Sequence, residues 1–257
     1  MKIAIIGAGN MGGAIARGLA QSNRIEAKDI TVSNRSCEKL NALKTEYPEI
    51  NVTNSNSQAA SDAQIVIVAV KPWLMKEVVT ALNIQPHQIL ISIAAGIDFE
   101  TLSEYVPDGT PLFRVIPNTA ISQLASMNLI ATHNANKQQT QTIKELFDEM
   151  GLSIIIEEKQ FAACTSLTSC GIAYVLKYVQ AAMQAGTELG VRPKDSMIML
   201  AQTLQGAAQL LLNNPDTHPA IEIDKVTTPG GLTIKGVNQL EQEGFSKAVI
   251  NAVKASV

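Results

Sequence analysis

The chain has 257 residues, 46% of them hydrophobic and only 17% charged, against roughly 25% charged in an average soluble domain. That length exceeds the ~100–150 residues of a typical single domain, so two domains are expected, and the low charge content points to surface covered by association. A net charge of −3 excludes the basic footprint of a nucleic-acid binder, and no run of 18 or more apolar residues reads as a membrane span.

Met1 and Lys2 run straight into an apolar strand, which leaves no room for a signal peptide and leads us to expect a cytoplasmic protein. That strand is Ile3 to Ile6, a short β-branched run of the kind that is covered on both faces. Gly7-Ala8-Gly9-Asn10-Met11-Gly12 follows, and then a helix to Ala20 on which Met11, Ile15, Gly18 and Leu19 fall at helical spacing. A G-x-G-x-x-G between a strand and a helix has a division of labour: Gly7 turns the chain, Gly9 lets backbone approach a pyrophosphate, and Gly12 lets helix and strand pack closely. The free N–H groups of Asn10, Met11 and their neighbours supply the anion site.

Asp29 to Asn34 is predicted as the second strand, with a helix over Cys37 to Tyr47 capped by Ser36. Enzymes that use NAD place an acidic residue near the end of this strand to hold the ribose 2′-hydroxyl. Asp29 stands at the wrong end for that, and the carboxyl end carries Ser33, Asn34, Arg35 and Ser36. A guanidinium there pairs a 2′-phosphate, so NADPH is expected in preference to NADH. A third strand lies near Ile50 to Thr53. Gln64 to Val70 is the clearest central strand and runs into Ala69-Val70-Lys71-Pro72. Ile89 to Ala94 ends in Ala95-Gly96, and Leu112 to Ile116 ends in Pro117-Asn118-Thr119. These strand ends are where cofactor contacts gather. Two more strands, near 127–131 and 152–156, flank a helix from Lys137 to Met150.

The composition changes after about residue 157, and we expect a dinucleotide-binding domain over 1–157 and a helical domain over 158–257. Helices are predicted at 159–167, 171–190, 194–212, 230–242 and 245–255. Ser196 to Pro215 contains no charged residue, and its polar stripe is limited to Gln202, Gln205 and Gln209, so that helix needs cover almost all round. A unit of ~100 residues has little interior to offer, and a second copy of the chain is expected to supply the cover. Cys37, Cys164 and Cys170 lack C-x-x-C or metal-ligand spacing and are expected to be buried or reduced thiols, with no metal site. His87, His133 and His218 are expected at the surface.

A second unusual stretch is Val226-Thr227-Thr228-Pro229-Gly230-Gly231-Leu232-Thr233. Thr228 as N-cap and Pro229 as first helical residue predict a helix start. Two glycines in a first turn lose about 1 kcal/mol each against alanine, which bare backbone facing a small carboxylate would offset. Close packing against another chain explains the glycines equally well.

Together, Ile-Gly-Ala-Gly-Asn-Met-Gly at 6–12, Ala-Val-Lys-Pro at 69–72, Arg-Val-Ile-Pro-Asn-Thr at 114–119 and Val-Thr-Thr-Pro-Gly-Gly-Leu-Thr at 226–233 resemble the Δ1-pyrroline-5-carboxylate reductases over essentially the whole chain. The resemblance implies an N-terminal Rossmann-type sheet, a C-terminal all-helical dimerisation domain, and assembly of dimers into larger rings. It implies reduction of a cyclic imine to proline with NADPH or NADH. By the family pattern, Gly230, Gly231, Leu232 and Thr233 hold the substrate, while Asn56, Lys71 and Asn118 lie along the cofactor. Thr233 is the candidate catalytic donor to the imine nitrogen. Where these reductases carry Ser-Gly-Ser-Gly-Pro-Ala-Tyr, this chain has Thr168-Ser169-Cys170-Gly171-Ile172-Ala173-Tyr174, so a glycine and a proline are replaced. That departure keeps open a reductase-like paralogue that binds dinucleotide in a regulatory role. A β-hydroxyacid dehydrogenase shares the architecture but needs a lysine where this chain has Val175. Lys177 lies two residues on, about 200° round a helix.

Overall fold

The computed structural model describes all 257 residues and divides into two compact units, Met1–Ser169 and Cys170–Val257. In the first unit the order is β1 (Ile3–Ile6), α1 (Asn10–Ala20), β2 (Ile30–Ser33), α2 (Cys37–Glu46), β3 (Asn51–Thr53), α3 (Asn56–Ala60), β4 (Ile65–Val68), α4 (Met75–Leu82) and β5 (Ile89–Ser92). It continues through α5 (Phe99–Ser103), β6 (Leu112–Ile116), β7 (Ser126–His133), α6 (Lys137–Asp148), β8 (Gly151–Ile155) and α7 (Phe161–Thr165). The eight strands form one sheet in the order β3-β2-β1-β4-β5-β6-β7-β8. Neighbours from β3 through β6 are parallel, β7 runs antiparallel to β6, and β8 is parallel to β7.

The strands read as unbroken apolar runs because both faces of the sheet are covered. Ile3, Ile5, Ile65, Ile67, Ile89 and Ile91 face one core with Ile15 and Leu19 of α1, Leu40 and Leu43 of α2, and Ile143 and Phe147 of α6. The alternate residues Ala4, Ile6, Val66, Val68 and Leu90 face a second core built from Ala59 and Ala60, from Met75, Val78, Val79 and Leu82, and from Phe99 and Leu102. This is the period-2 alternation of a strand resolved into two helical layers. The short helices α3, α4 and α5 are additions to the elements predicted from sequence. A run of five to eight residues gives too few turns for periodicity to stand out. Arg114 of β6 is buried in this unit. Its guanidinium pairs with Glu158 at 2.6 Å and lies 4.6 Å from the centre of the Phe161 ring. Glu158 in turn accepts the Phe99 N–H at 2.8 Å, so this arginine works as a structural clasp.

A π-helical turn, Ser166–Cys170, precedes the second unit. Its elements are α8 (Gly171–Glu188), α9 (Pro193–Leu212), α10 (Pro219–Val226), α11 (Leu232–Gln242) and α12 (Phe245–Lys254). Close packing of α8 on α9 depends on Gly186, where a Cβ would sit 2.8 Å from Ser196 Oγ. No apolar side chain from Cys170 onward is buried, and Met197, Ile198, Met199, Leu210, Leu211 and Leu212, in the part of α9 without charged residues, are exposed. A helical unit without a buried core of its own depends on cover from outside the single chain. None of the helices is long and apolar enough to cross a membrane.

Two expectations from sequence are corrected. The helix expected to start at Pro229 starts later: α11 begins at Leu232 with Gly231 as its N-cap residue. Gly230 takes φ +73°, in the left-handed region that ends rather than continues a helical path, so neither glycine weakens the helix interior. Of the two readings given for the cysteines, buried or reduced, burial is the one corrected: all three are free, with Cys37 exposed at the first position of α2 and Cys164 and Cys170 half-buried. All three histidines are exposed; His133 stacks on Phe99 and His218 caps α10.

Gly12 sits against the chain's own backbone: a Cβ there would lie 1.9 Å from Gly7 O and 2.9 Å from the Ala69 Cβ. Gly12→Ala therefore forces helix and strand apart and is expected to destabilise the first unit by about 1–3 kcal/mol. Urea unfolding followed by circular dichroism measures it; an unchanged midpoint contradicts the packing role.

Candidate active site

β1 lies between β2 and β4, the point in the sheet where the connections leave in opposite directions, and ligands of such sheets bind at the carboxyl ends of the strands there. The chain leaves β1 through Gly7 at φ +104°, a conformation open to glycine and strained for other residues. The Gly7 N–H donates to Ser33 O at 2.8 Å and the Ala69 N–H donates to Ile6 O at 2.9 Å, so the turn is tied to both neighbouring strands. Asn34 Oδ1 accepts the Ala8 N–H at 3.1 Å, and Asn34 Nδ2 donates to Ser36 O at 3.2 Å, which braces the loop from the β2 side. Gly9 differs from Gly7 and Gly12 in that a Cβ on it would meet nothing within 4 Å. Its bare backbone faces open space at the start of α1, which is the condition for a pyrophosphate to approach a helix start.

A cavity of about 590 Å³ opens over this turn. Of the residues expected along a cofactor, Gly7, Gly9, Asn10, Met11, Asn34, Arg35, Asn56, Ala69, Val70, Lys71, Pro72 and Ala95 line it. Asn56 is held there by the Ser33 hydroxyl, which donates to its Oδ1 at 2.8 Å. Gly12, Ser36, Gly96 and Asn118 do not line it. Gly12 lies beneath the turn, and Ser36 is the N-cap residue of α2 without a capping bond from its side chain. Asn118 is buried; its Oδ1 accepts the Ala120 N–H at 3.0 Å and its Nδ2 donates to Thr168 O at 3.3 Å. The wall also contains Leu74, Val78 and Lys39, which sequence reasoning did not single out. Lys39 carried a signal: a cation in the first turn of a helix opposes the helix dipole, an arrangement that suits an incoming anion.

The second motif forms a turn in the helical unit. The Gly231 N–H donates to Thr228 O at 3.0 Å. Gly230 occupies the third position at φ +73°, the requirement of a type II turn with proline second. A Cβ on Gly231 would lie 2.7 Å from Thr228 Oγ1 and 3.0 Å from Thr228 O. The turn delivers the chain to the N-terminus of α11 with Leu232 85% exposed and Thr233 also exposed. The amides of the first helical turn have no partner within their own helix and are anion donors by position. In the Thr168–Ile172 segment no residue has positive φ, so the π-helical turn forms without the freedom that a glycine at Ser169 would provide.

Residues 158–257 match the profile described as pyrroline-5-carboxylate reductase dimerisation, and residues 2–96 match the one described as NADP oxidoreductase coenzyme F420-dependent. Pyrroline-5-carboxylate reductase 2 of Dictyostelium discoideum is 34% identical, over 99% of this chain and 90% of that protein. The chain belongs to the pyrroline-5-carboxylate reductase family. Pyrroline-5-carboxylate reductase 1 of the same organism is 36% identical over 99% of this chain, which spans about half (48%) of that longer relative. The crystal structure of Plasmodium falciparum pyrroline carboxylate reductase with NADP bound has a TM-score of 0.86 at 27% identity, covering 100% of this chain and 95% of that one. Membership in the reductase family accounts for the helical unit's exposed apolar surface, because that unit carries the family's dimerisation domain.

Gly9 separates binding from folding, since the space its Cβ would take is empty. For this pyrroline-5-carboxylate reductase family member, Gly9→Val is expected to leave the melting temperature nearly unchanged while weakening dinucleotide binding at least about tenfold, as misplacing a ligand in an ordered site does. Calorimetric titration beside a thermal melt reads both; tight binding by the variant contradicts the role given to this backbone.

Proposed function

We propose that the protein reduces 1-pyrroline-5-carboxylate to L-proline, with NADPH preferred over NADH. The observation that carries this reading is the pairing, in one reductase-family chain, of a glycine turn whose open side faces a cavity and a glycine-led helix start with exposed amides. Residues 1–157 are assigned to the dinucleotide and residues 158–257 to dimerisation and substrate. Dimers formed through the helical domain are proposed to assemble further into rings.

The donor set fits a dinucleotide. Asn10, Met11, Asn34, Arg35 and Asn56 all line the cavity; the backbone amides of Asn10 and Met11 would hold the pyrophosphate, Asn56 and Asn34 the ribose, and Arg35 a 2′-phosphate. Val70, Lys71, Pro72, Ala69 and Ala95 line the remainder, and Gly96 and Asn118 are assigned to the same end on the family pattern. When bound, the reduced nicotinamide supplies a hydride to the imine carbon. Everything else falls to the chain. Gly230, Gly231 and Leu232 receive the substrate carboxylate at the start of α11, where helix amides and dipole favour an anion. Thr233 orients the C=N bond through its hydroxyl, which donates to the nitrogen of a neutral imine or, when the ring binds already protonated, accepts from the iminium N–H, the form whose carbon is the more electrophilic. No acid stronger than a hydroxyl is needed, because an imine can bind already protonated. Fixing the ring against the dinucleotide then supplies the rest of the acceleration through orientation.

The test follows the absorbance of NADPH and NADH with pyrroline-5-carboxylate as substrate. Turnover is expected with both and higher kcat/KM with NADPH. Thr233→Ala is expected to lower kcat by about 10²-fold with little change in NADPH affinity, and Arg35→Ala to weaken NADPH and leave NADH unaffected. Intact cofactor binding with no turnover on either dinucleotide would favour the regulatory paralogue. Unchanged kcat in Thr233→Ala would remove that hydroxyl from the chemistry.

A further inference from the structure

The cavity that we assign to the dinucleotide carries a carboxylate at its edge that works against the phosphate its arginine attracts. Arg35, in the loop after β2, and Lys39, one turn into α2, are the cations on that side of the cavity wall. Arg35 is not uncommitted: one of its Nη atoms lies 3.4 Å from Glu77 Oε1. Glu77 belongs to α4, on the β4 side of the crevice, and its neighbours Leu74 and Val78 both line the cavity. The ion pair therefore spans from one bank of the crevice to the other. Both partners are highly exposed, at 77% and 71%, so either is free to change partner. Lys39 has no ion pair.

A ribose 2′-phosphate carries about −1.5 to −2 charges at pH 7. At Arg35 it meets a guanidinium with one Nη already on Glu77, and it either displaces that carboxylate or shares the remaining donors with it; in both cases two anions stand side by side. A ribose 2′-hydroxyl faces no such contest, and it can donate a hydrogen bond to the same carboxylate, the role an acidic residue plays for NAD elsewhere. We infer that Glu77 is a specificity-determining residue: by engaging Arg35 across the crevice it narrows the preference for the 2′-phosphorylated dinucleotide and lets the site accept both. This rests on the reading of Arg35 as the phosphate partner. Lys39, unpaired, supplies the charge that keeps the balance on the phosphate side.

The experiment measures affinity for 2′,5′-ADP and 5′-ADP by calorimetry on the full-length protein, and for NADPH and NADH by energy transfer from Trp73, the single tryptophan of the chain. Glu77→Gln is expected to raise the affinity ratio of 2′,5′-ADP over 5′-ADP about threefold, the scale of one exposed ion pair, and to raise NADPH over NADH alike. The gain should shrink at high salt. Asp62→Asn removes the same charge at the amino end of β4, away from the crevice, where Asp62 pairs with Lys2 at 3.7 Å, and should leave both ratios unchanged. An unchanged ratio in Glu77→Gln, a gain shared equally by 5′-ADP, or the same gain from Asp62→Asn overturns the inference. Arg35→Ala is expected to lower phosphate selectivity and leave the remainder that Lys39 supplies. Selectivity undiminished there removes the premise itself, an outcome separate from failure at Glu77.

Discussion

The first unit depends on one steric constraint, the contact of Gly12 with Gly7 and Ala69, where the first helix meets the ends of the two central strands with no side chain between them. That contact sets where α1 begins, and the start of α1 sets where unpaired amides point. The positive φ of Gly7 and the ties to Ser33 and Ile6 hold the turn against both flanking strands. With the turn fixed, the empty space above Gly9 has a definite shape, and the cavity walls follow from the strand ends around it. Packing against backbone and access for a ligand thus fall to different glycines of one short motif.

The second unit has the opposite character. It is held by contacts such as that of Gly186 with Ser196 but buries no apolar side chain of its own, while α9 displays methionine, isoleucine and leucine side chains. Within it the stretch Ser196 to Pro215 carries no charged residue. Association is then a condition of the fold, and a dimerisation domain of the reductase family is the form it takes. One unit closes a core around its own sheet, whereas the other leaves a surface to be closed by a partner.

Much of this was legible in the sequence because it follows from short-range rules. Strand runs such as Ile65–Val68 announce themselves by hydrophobicity, and the glycine turn by its place between strand and helix. What was not legible depends on distant partners. Arg114 opens one of the stretches that carry the family resemblance, and nothing near it in sequence shows that its guanidinium is spent on Glu158, 44 residues away, and on the Phe161 ring. Asn118 lies at a strand end and turns inward to Thr168. Lys39 and Glu77 are ordinary surface residues in sequence, and the crossover of the sheet brings the first into the cavity wall and the second to its edge. At Thr228-Pro229 the capping pattern was genuine turn chemistry. It closes a turn ahead of the helix rather than the helix itself, because Gly230 takes the left-handed conformation.

The central claim is that the glycine turn after β1 is the seat of the dinucleotide. A crystal structure of the protein with NADPH and L-proline tests it most directly. Pyrophosphate oxygens are expected at hydrogen-bond distance from the Asn10 and Met11 amides, and the proline carboxylate on the amides that follow Gly230. A dinucleotide bound away from Gly9 in every copy of the chain would contradict it.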